Sequence, residues 1–163
     1  HTPAGSLRGG KYSLFEGGHR VPLIARWPAK IKPAVSDKLI CQIDLLASFA
    51  ELLEQKLPET AAPDSMPLLP TLLGDPAAKG RDHLVNHAAG LAIRRGPWKL
   101  LPANRSGTGK RGKPGATGGD EALLYHLPDD LGETKNDAGE NPGIVKEMTA
   151  LLGEIREKGR SRP

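Results

Sequence analysis

The chain has 163 residues, enough for one hydrophobic core, and 37% of them are hydrophobic. Its 20 glycines and 15 prolines predict a globular protein with many loops. The formal net charge of +4 is compatible with anionic ligands but gives no indication of nucleic-acid binding, and no apolar run is long enough to span a membrane. The single cysteine, Cys41, excludes a disulfide within the chain.

Near its start the chain has a loop, residues 8–18, in which two glycine pairs flank Lys11 and Glu16. Glycine allows a close approach of the backbone to a ligand or to another backbone segment. An apolar run from Val21 to Trp27 follows, and it predicts one buried strand. Because loops next to core strands commonly carry binding groups, we predict an anion site at this loop, with Lys11 as its cation.

A helix is predicted further along, with Asp44 as its N-cap. Residues 58–80, which are rich in proline and alanine, are interpreted as a linker. The spacing of leucine and phenylalanine predicts that the helix buries one apolar face. This face consists of Leu45, Leu46, Phe49, Leu52 and Leu53.

After residue 81 the pattern changes to short strands separated by turn residues. We predict a small antiparallel sheet with a final helix packed across one face. This helix is predicted to start at Asn141, with Pro142 in its first turn. The predicted strands are residues 84–87, 91–94, 98–101 and 122–127.

Between the third and fourth predicted strands lies a basic, glycine-rich loop, residues 103–120. Its residues 107–113 fit the first seven positions of a phosphate-binding P-loop. The P-loop requires a serine or threonine next, where this chain has Pro114, and it requires a helix directly after the glycines. We therefore interpret this segment as a basic insertion and not as a nucleotide site.

The lysine-bearing loop and the segment after it resemble the late motif of the sulfatase family. The resemblance continues, with its spacing kept, into residues 92–100 and 127–136. It implies that the chain is the C-terminal portion of a formylglycine-dependent, arylsulfatase-type enzyme of the alkaline-phosphatase superfamily. The matching residues of the motif are Arg8 to Lys11, Glu16 to Gly18, Arg20 to Ile24 and Arg26 to Pro28.

The fold implied by this resemblance is α/β, and α+β within this portion. Residues 1–57 are expected to end the catalytic α/β domain, contributing the lysine-bearing loop and one strand and one helix of the main sheet domain. Residues 58–80 are the expected linker. Residues 81–163 are expected to form a C-terminal antiparallel sheet subdomain with a terminal helix.

In the family, the lysine of this motif contacts the sulfate ester, so the resemblance implies that Lys11 is a catalytic residue. Three histidines are substrate-binding candidates. His19 lies next to the Lys11 loop in the motif, and His1 lies where the family's active-site loop would continue upstream. His87 matches a position at which sulfatases of this type often have a histidine. The substrate is then a sulfate ester, either an aryl sulfate or a sulfated carbohydrate.

Three further charged residues match positions of the motif: Glu16, Arg20 and Arg26. We expect them to form a buried ion-pair network that supports the loop, and not to contact the substrate.

The family's formylglycine nucleophile and its Ca²⁺ ligands lie upstream of this motif. Cys41 is followed by Gln42, so it does not fit the formylglycine motif. We therefore expect no metal site and no activity in this portion alone, and we expect Ca²⁺ and the missing N-terminal part in the full-length enzyme. The family implies a periplasmic or secreted protein, although these residues assign no compartment.

Two alternatives remain at this stage. One is a phosphoesterase or phosphotransferase of the same superfamily, which would share the fold and use another nucleophile. The other is a non-catalytic module that binds anions or sulfated glycans.

Overall fold

The structure, a computed structural model, describes residues 4–88, 90–103 and 121–163. Most of the predicted basic loop, residues 103–120, lies outside these ranges. The chain divides into two compact units, His1–Val21 with Val85–Glu154 and Pro22–Leu84 with Ile155–Pro163. No helix in the described ranges is long and apolar enough to cross a membrane.

A four-stranded sheet forms the framework of the first unit, and its strand order follows the chain. The second and third strands pair antiparallel, as do the third and fourth. These bounds confirm all four predicted strands to within one residue at each end. The strands are β1 (His83–His87), β2 (Leu91–Arg95), β3 (Trp98–Leu101) and β4 (Leu123–His126).

The register of the sheet sorts its side chains onto two faces. Arg94 lies opposite Lys99, and Lys99 lies opposite Tyr125, so these three share one face. The other face carries three fully buried aliphatic residues in register with one another. They are Ile93, Leu100 and Leu124.

The final helix, α3 (Pro142–Lys158), packs on this aliphatic face. Arg95, which shares the face with Ile93, forms an ion pair with Glu147 of the helix. Met148 and Leu152 of α3 are buried. The predicted terminal helix, with a proline at its start and packed across one face of the sheet, is therefore confirmed.

The second unit contains two helices in contact, α1 (Asp44–Leu52) and α2 (Leu69–Leu72). Asp44 is buried, and the prediction that it is the N-cap of its own helix is wrong, because the helix begins at Asp44 and Ile43 precedes it as the N-cap. Its carboxylate accepts N–H groups from Cys41 at 2.8 Å and from Met66 at 2.9 Å. The Arg81 guanidinium lies 3.3 Å from the same carboxylate. Asp44 thus joins three segments of the second unit.

The strand predicted from Val21 to Trp27 does not form, since residues 20–27 have no regular secondary structure. The apolar side chains of this run are exposed, Ile24 at 90%. A strand needs a neighbour to accept and donate its backbone hydrogen bonds, and no strand in the described ranges pairs with this run. The pattern was apolar enough for a buried strand, but the described residues supply no partner for it.

The predicted apolar face of α1 is also not buried. The residues of α1 that the chain buries are Asp44, Ala47 and Ser48. Phe49, on the apolar face, is 52% exposed. The buried face of the helix in the described part of the chain therefore consists of small and polar side chains, and its apolar face is exposed. Its exposed apolar residues are Leu46, Phe49 and Leu52, with Ile43 and Leu53 at its ends.

Candidate functional site

The predicted anion loop, residues 8–18, is named here the lysine loop. Its backbone folds back on itself, because the N–H of Gly17 donates to the carbonyl of Arg8 at 2.8 Å. Within this closed loop, the N–H of Ser13 donates to the carbonyl of Gly10 at 2.9 Å. The lysine loop ends in a short 3₁₀ turn, Glu16–Gly18.

Glycine is required where the two sides of the lysine loop meet. A Cβ on Gly18 would lie 2.2 Å from the carbonyl oxygen of Ser13 and 2.8 Å from that of Gly10. A Cβ on Gly17 would lie 2.6 Å from the carbonyl oxygen of Arg8. The close backbone approach expected from the glycine pairs is therefore confirmed.

The lysine loop packs on the sheet face that carries Lys99 and Tyr125. Leu14 and Phe15 are buried in one hydrophobic cluster with residues of β2, β3 and β4. The rings of Phe15 and Tyr125 are 6.2 Å apart between centroids. The other buried members of the cluster are Ala92, Leu101 and Leu127.

A buried charge cluster, Glu16, Lys99 and Glu133, lies beside these apolar contacts. The Lys99 Nζ is 2.9 Å from Glu16 Oε1 and 3.0 Å from Glu133 Oε1. The side chains of Lys99 and Glu133 are 0% exposed, and that of Glu16 is 7% exposed. Burial raises the pKa of the Glu133 carboxyl, whereas the Lys99 ammonium and the N–H of Glu16 act in the opposite direction.

The cluster also fixes the loop backbone. The N–H of Glu16 donates to Glu133 Oε2 at 2.6 Å. Arg8, at the other end of the lysine loop, donates to the carbonyl of Glu133 at 2.6 Å and to the Tyr125 hydroxyl at 3.2 Å. The Arg8 guanidinium also lies 3.9 Å from the centroid of the Phe15 ring. Both ends of the lysine loop are therefore held by the turn that carries Glu133.

Two of the three residues in the expected ion-pair network take part in one. Arg20 and Arg94 each approach Glu16 Oε2 at 3.8 Å. Arg26 is exposed, and within the described residues no ion pair to it is found. Arg26 lies in the second unit and Glu16 in the first, so its predicted place in the network stays a prediction.

Lys11 lies on the exposed part of the lysine loop. Its Nζ is 5.1 Å from the centroid of the Tyr12 ring. Tyr12 is exposed and has a φ of 72°, a left-handed conformation that is uncommon for a residue with a side chain. In the described part of the chain no carboxylate pairs with Lys11, so its ammonium is available to an anion.

His19 follows the 3₁₀ turn and is half-buried. Its Nε2 is buried and has no hydrogen-bond partner among the described residues. Burial lowers the pKa of His19, the Lys99 charge lowers it further, and Glu16 acts in the opposite direction. A neutral imidazole with a spare nitrogen therefore lies directly after the lysine loop in the chain.

Of the other two predicted histidines, the structure describes His87. His87 is exposed at the end of β1, and no described hydrogen bond joins it to the lysine loop. His1 lies outside the described residues. Among the residues that the structure describes, no three His, Cys, Asp or Glu side chains are grouped as metal ligands would be.

The sequence placed Arg8 in the loop motif without a role, and Lys99 and Glu133 were not identified as parts of this site. The signal for Lys99 was present, because a lysine among apolar residues in the middle of a core strand needs a buried counter-charge. The partners of Lys99 could not be identified from the sequence. Glu16 is 83 residues away from it, and Glu133 lies in the acidic turn of residues 127–136, where the family resemblance indicates no pairing.

The chain is similar in sequence to known proteins, and the similarity includes the lysine loop. The family model described as Sulfatase matches residues 1–55, which include the lysine loop. The chain is 42% identical over 161 residues to the N-acetylgalactosamine-6-O-sulfatase of Bacteroides thetaiotaomicron, which covers 97% of this chain and 31% of that protein. It is 29% identical over 167 residues to arylsulfatase A of Homo sapiens, covering 94% of this chain and 33% of that protein.

The fold is similar to solved structures as well. One, from work on the metabolism of multiple glycosaminoglycans by Bacteroides thetaiotaomicron, matches with a TM-score of 0.88 at 42% identity, over 96% of this chain and 33% of that one. Another, Ps i-CgsB in complex with k-i-k-neocarrahexaose, matches with a TM-score of 0.67 at 24% identity, over 91% and 31%, which shows the fold alone. The chain spans about a third of the length of the curated relatives it matches. With nearly all of its residues aligned to sulfatases, it belongs to the sulfatase family.

Proposed function

We propose that the chain is the C-terminal portion of an enzyme that hydrolyses a sulfate ester, and that Lys11 contacts the sulfate. The observation that carries this proposal is the exposed Lys11 ammonium on a loop whose two ends are held by buried interactions. A fixed cation beside the sulfate oxygens, where negative charge develops, stabilises the transition state more than the ground state.

A sulfated carbohydrate is the substrate class that we favour, and an aryl sulfate is the alternative. The favoured class follows from the relative at 42% identity, whose name specifies the 6-O-sulfate of N-acetylgalactosamine. The alternative follows from the more distant arylsulfatase A.

His19 is the second residue that we propose to face the substrate. It directly follows the lysine loop, its side chain is half-buried, and its imidazole can donate or accept a hydrogen bond. His87 and His1 remain predictions from the sequence, with no contact in the described residues that supports them.

The described residues do not fit the Ca²⁺ that we expect in the full-length enzyme, because no three candidate ligands among them lie together. We propose that its ligands and the nucleophile lie in the rest of the protein. The 163-residue chain alone is then inactive, because it supplies a sulfate-binding cation without the group that attacks the ester.

We also propose that the rest of the protein covers the exposed apolar surface of residues 21–53. In the described part of the chain twelve large hydrophobic residues are exposed, and ten of them lie within residues 21–53, which match the sulfatase family model. The other two are Tyr12 and Leu131. An apolar surface of this kind is typical of a buried contact and not of a free surface.

The test is sulfate release by the full-length protein, with N-acetylgalactosamine 6-sulfate, an aryl sulfate and a phosphate monoester as substrates. Lys11→Ala should lower kcat/KM for the sulfate ester by about a hundredfold or more, because one stabilising charge is lost. Lys158→Ala, which removes an exposed lysine of α3, serves as the matched control and should leave kcat/KM unchanged.

Equal activity of Lys11→Ala and the wild type would remove Lys11 from the site. Faster hydrolysis of the phosphate monoester than of either sulfate would favour the phosphoesterase alternative. Sulfate release by the 163-residue chain alone, surviving repurification, would contradict the proposed division of the site.

A further inference from the structure

The charge cluster is an unusual way to fill the space under a loop. Lys99 is in the middle of β3, its side chain is completely buried, and two carboxylates lie within 3.0 Å of its Nζ. Removing three charges from water is costly, and apolar side chains of the same volume could stabilise the fold as well. In addition, the cluster fixes the relative positions of its side chains, because each charged group must meet its partner in one arrangement.

The cluster also holds the backbone of the lysine loop in place through hydrogen bonds. Glu133 uses one carboxylate oxygen for the Lys99 ammonium and the other for the N–H of Glu16. The carbonyl of Glu133 accepts the Arg8 guanidinium at the opposite end of the loop. One residue of the turn therefore sets the positions of both ends of the lysine loop.

Glu133 is itself held in an uncommon conformation. Its φ is 53°, a left-handed value that is unfavourable for a residue with a side chain. The turn around it is fixed by Asp130, which accepts the N–H of Thr134 at 2.7 Å and that of Lys135 at 2.9 Å. Such a conformation persists only where the surroundings determine it, which they do here.

Lys11 has no anchor of this kind. Within the described residues no hydrogen bond or ion pair holds its side chain, and its Nζ lies 5.1 Å from the centroid of the Tyr12 ring, so its position depends on the loop that carries it. We propose that Lys99 and Glu133 are positioning residues, which place Lys11 by fixing the two ends of the lysine loop. This inference rests on the proposed function, because it assigns a role in sulfate hydrolysis to residues that do not touch the substrate.

The test is a double-mutant cycle on kcat/KM in the full-length protein. Lys99→Met keeps the length of the side chain and removes the charge. It should lower kcat/KM by about tenfold to a hundredfold in the Lys11 background, mainly through kcat, because a displaced Lys11 no longer meets the developing charge. In the Lys11→Ala background it should lower kcat/KM by less than about twofold, because the residue that it positions is gone.

The cycle separates positioning from general stability. A loss of folded protein would reduce activity by the same factor in both backgrounds, and this outcome would overturn the proposal. Glu147→Gln is the matched control, because it breaks an ion pair between the sheet and α3 on the opposite face. It should leave kcat/KM unchanged in both backgrounds.

Glu133→Gln is the second variant, for use if Lys99→Met does not fold because the buried Glu133 carboxylate has lost its Lys99 partner. It keeps the shape of the side chain and removes one charge of the cluster. The same non-additivity with Lys11→Ala is expected, and equal factors in the two backgrounds would again overturn the proposal.

Hydrogen exchange of peptides that cover residues 8–18 makes the anchoring testable without activity. Deuterium uptake should be faster in Lys99→Met and Glu133→Gln than in the wild type, and unchanged in Glu147→Gln. Unchanged uptake in both cluster variants would overturn the anchoring even if the enzyme is active. If the wild-type protein releases no sulfate, the proposed function fails, and with it the role in hydrolysis, while faster uptake would still establish the anchoring.

Discussion

Residues 8–18 and residues 21–53 follow one another in the chain, and they differ in where their partners are found. In the lysine loop, the buried groups have partners in the described residues: Glu16 pairs with Lys99, and Phe15 packs against Tyr125. In residues 21–53, the apolar run and the apolar face of α1 are exposed. Both segments match the sulfatase family model, but the described residues bury Phe15 of the lysine loop and leave most of the large apolar side chains of residues 21–53 exposed.

The difference indicates what each segment needs in order to adopt its working conformation. The lysine loop is determined by contacts within its own unit, and substitutions there should act whether or not the rest of the protein is present. The apolar surface of residues 21–53 is expected to acquire its contacts only in the full-length protein. Substitutions that separate these two behaviours test the comparison directly.

The largest effect is expected from Gly18→Ala, where a Cβ would lie 2.2 Å from the carbonyl oxygen of Ser13. The loop backbone must move to admit the methyl group, and we expect the free energy of unfolding to fall by about 3 kcal/mol. Gly10→Ala is the control in the same loop, because a Cβ there has nothing within 4 Å. Thermal and urea unfolding of both variants measures the difference, and equal stability would contradict the closed loop.

An intermediate effect is expected from Phe49→Gln on the apolar face of α1. In the full-length protein it should lower the free energy of unfolding by about 2 kcal/mol, the value for a large apolar side chain that is removed from water. In the 163-residue chain, where Phe49 is 52% exposed, we expect a change below about 0.5 kcal/mol.

Leu131→Gln is the control for Phe49→Gln. Leu131 is exposed and lies outside the part that matches the family model, so the substitution should have little effect in either form of the protein. Urea unfolding of the two forms provides the measurement. A Phe49→Gln effect of the same size in both forms would show that the rest of the protein does not cover α1.

The sequence was sufficient to predict the sheet and the terminal helix, because their patterns are local. Gly96, with a φ of 53°, marks the turn between β2 and β3, and Pro142 marks the start of α3. The apolar patterns around Val21 and Phe49 predicted buried surfaces, and in the described residues both surfaces are exposed. A hydrophobic pattern does not say whether the residues that cover it belong to the same segment of chain.

For the site, the sequence predicted the lysine loop and its glycines but not its anchors. Glycine pairs around a lysine are visible as a motif within a few residues. The contacts of Lys99 with Glu16 and Glu133 depend on strand register and on the turn after β4, which bring together residues that are far apart in the chain. Long-range pairs of this kind carry no signal in a single sequence, so charge pairing could be expected for Lys99 but not assigned.

The smallest effect is expected from pH, at the boundary between the two segments. Burial and the Lys99 charge hold the pKa of His19 below its ordinary value of 6.5, so the unfolded chain takes up a proton at a higher pH than the folded chain does. As the pH falls below 6.5, the free energy of unfolding should decrease, until the folded pKa is reached and both states carry the proton.

His19→Gln should remove this dependence, whereas His87→Gln, at an exposed position, should keep it. The measurement is the difference in Tm between about pH 7.5 and about pH 5.5, a range that spans the ordinary titration of histidine. A wild-type difference in Tm that persists in His19→Gln would mean that His19 is not the group responsible. It would then be solvated like an ordinary surface histidine, and the lysine loop would end without the buried imidazole that we propose to face the substrate.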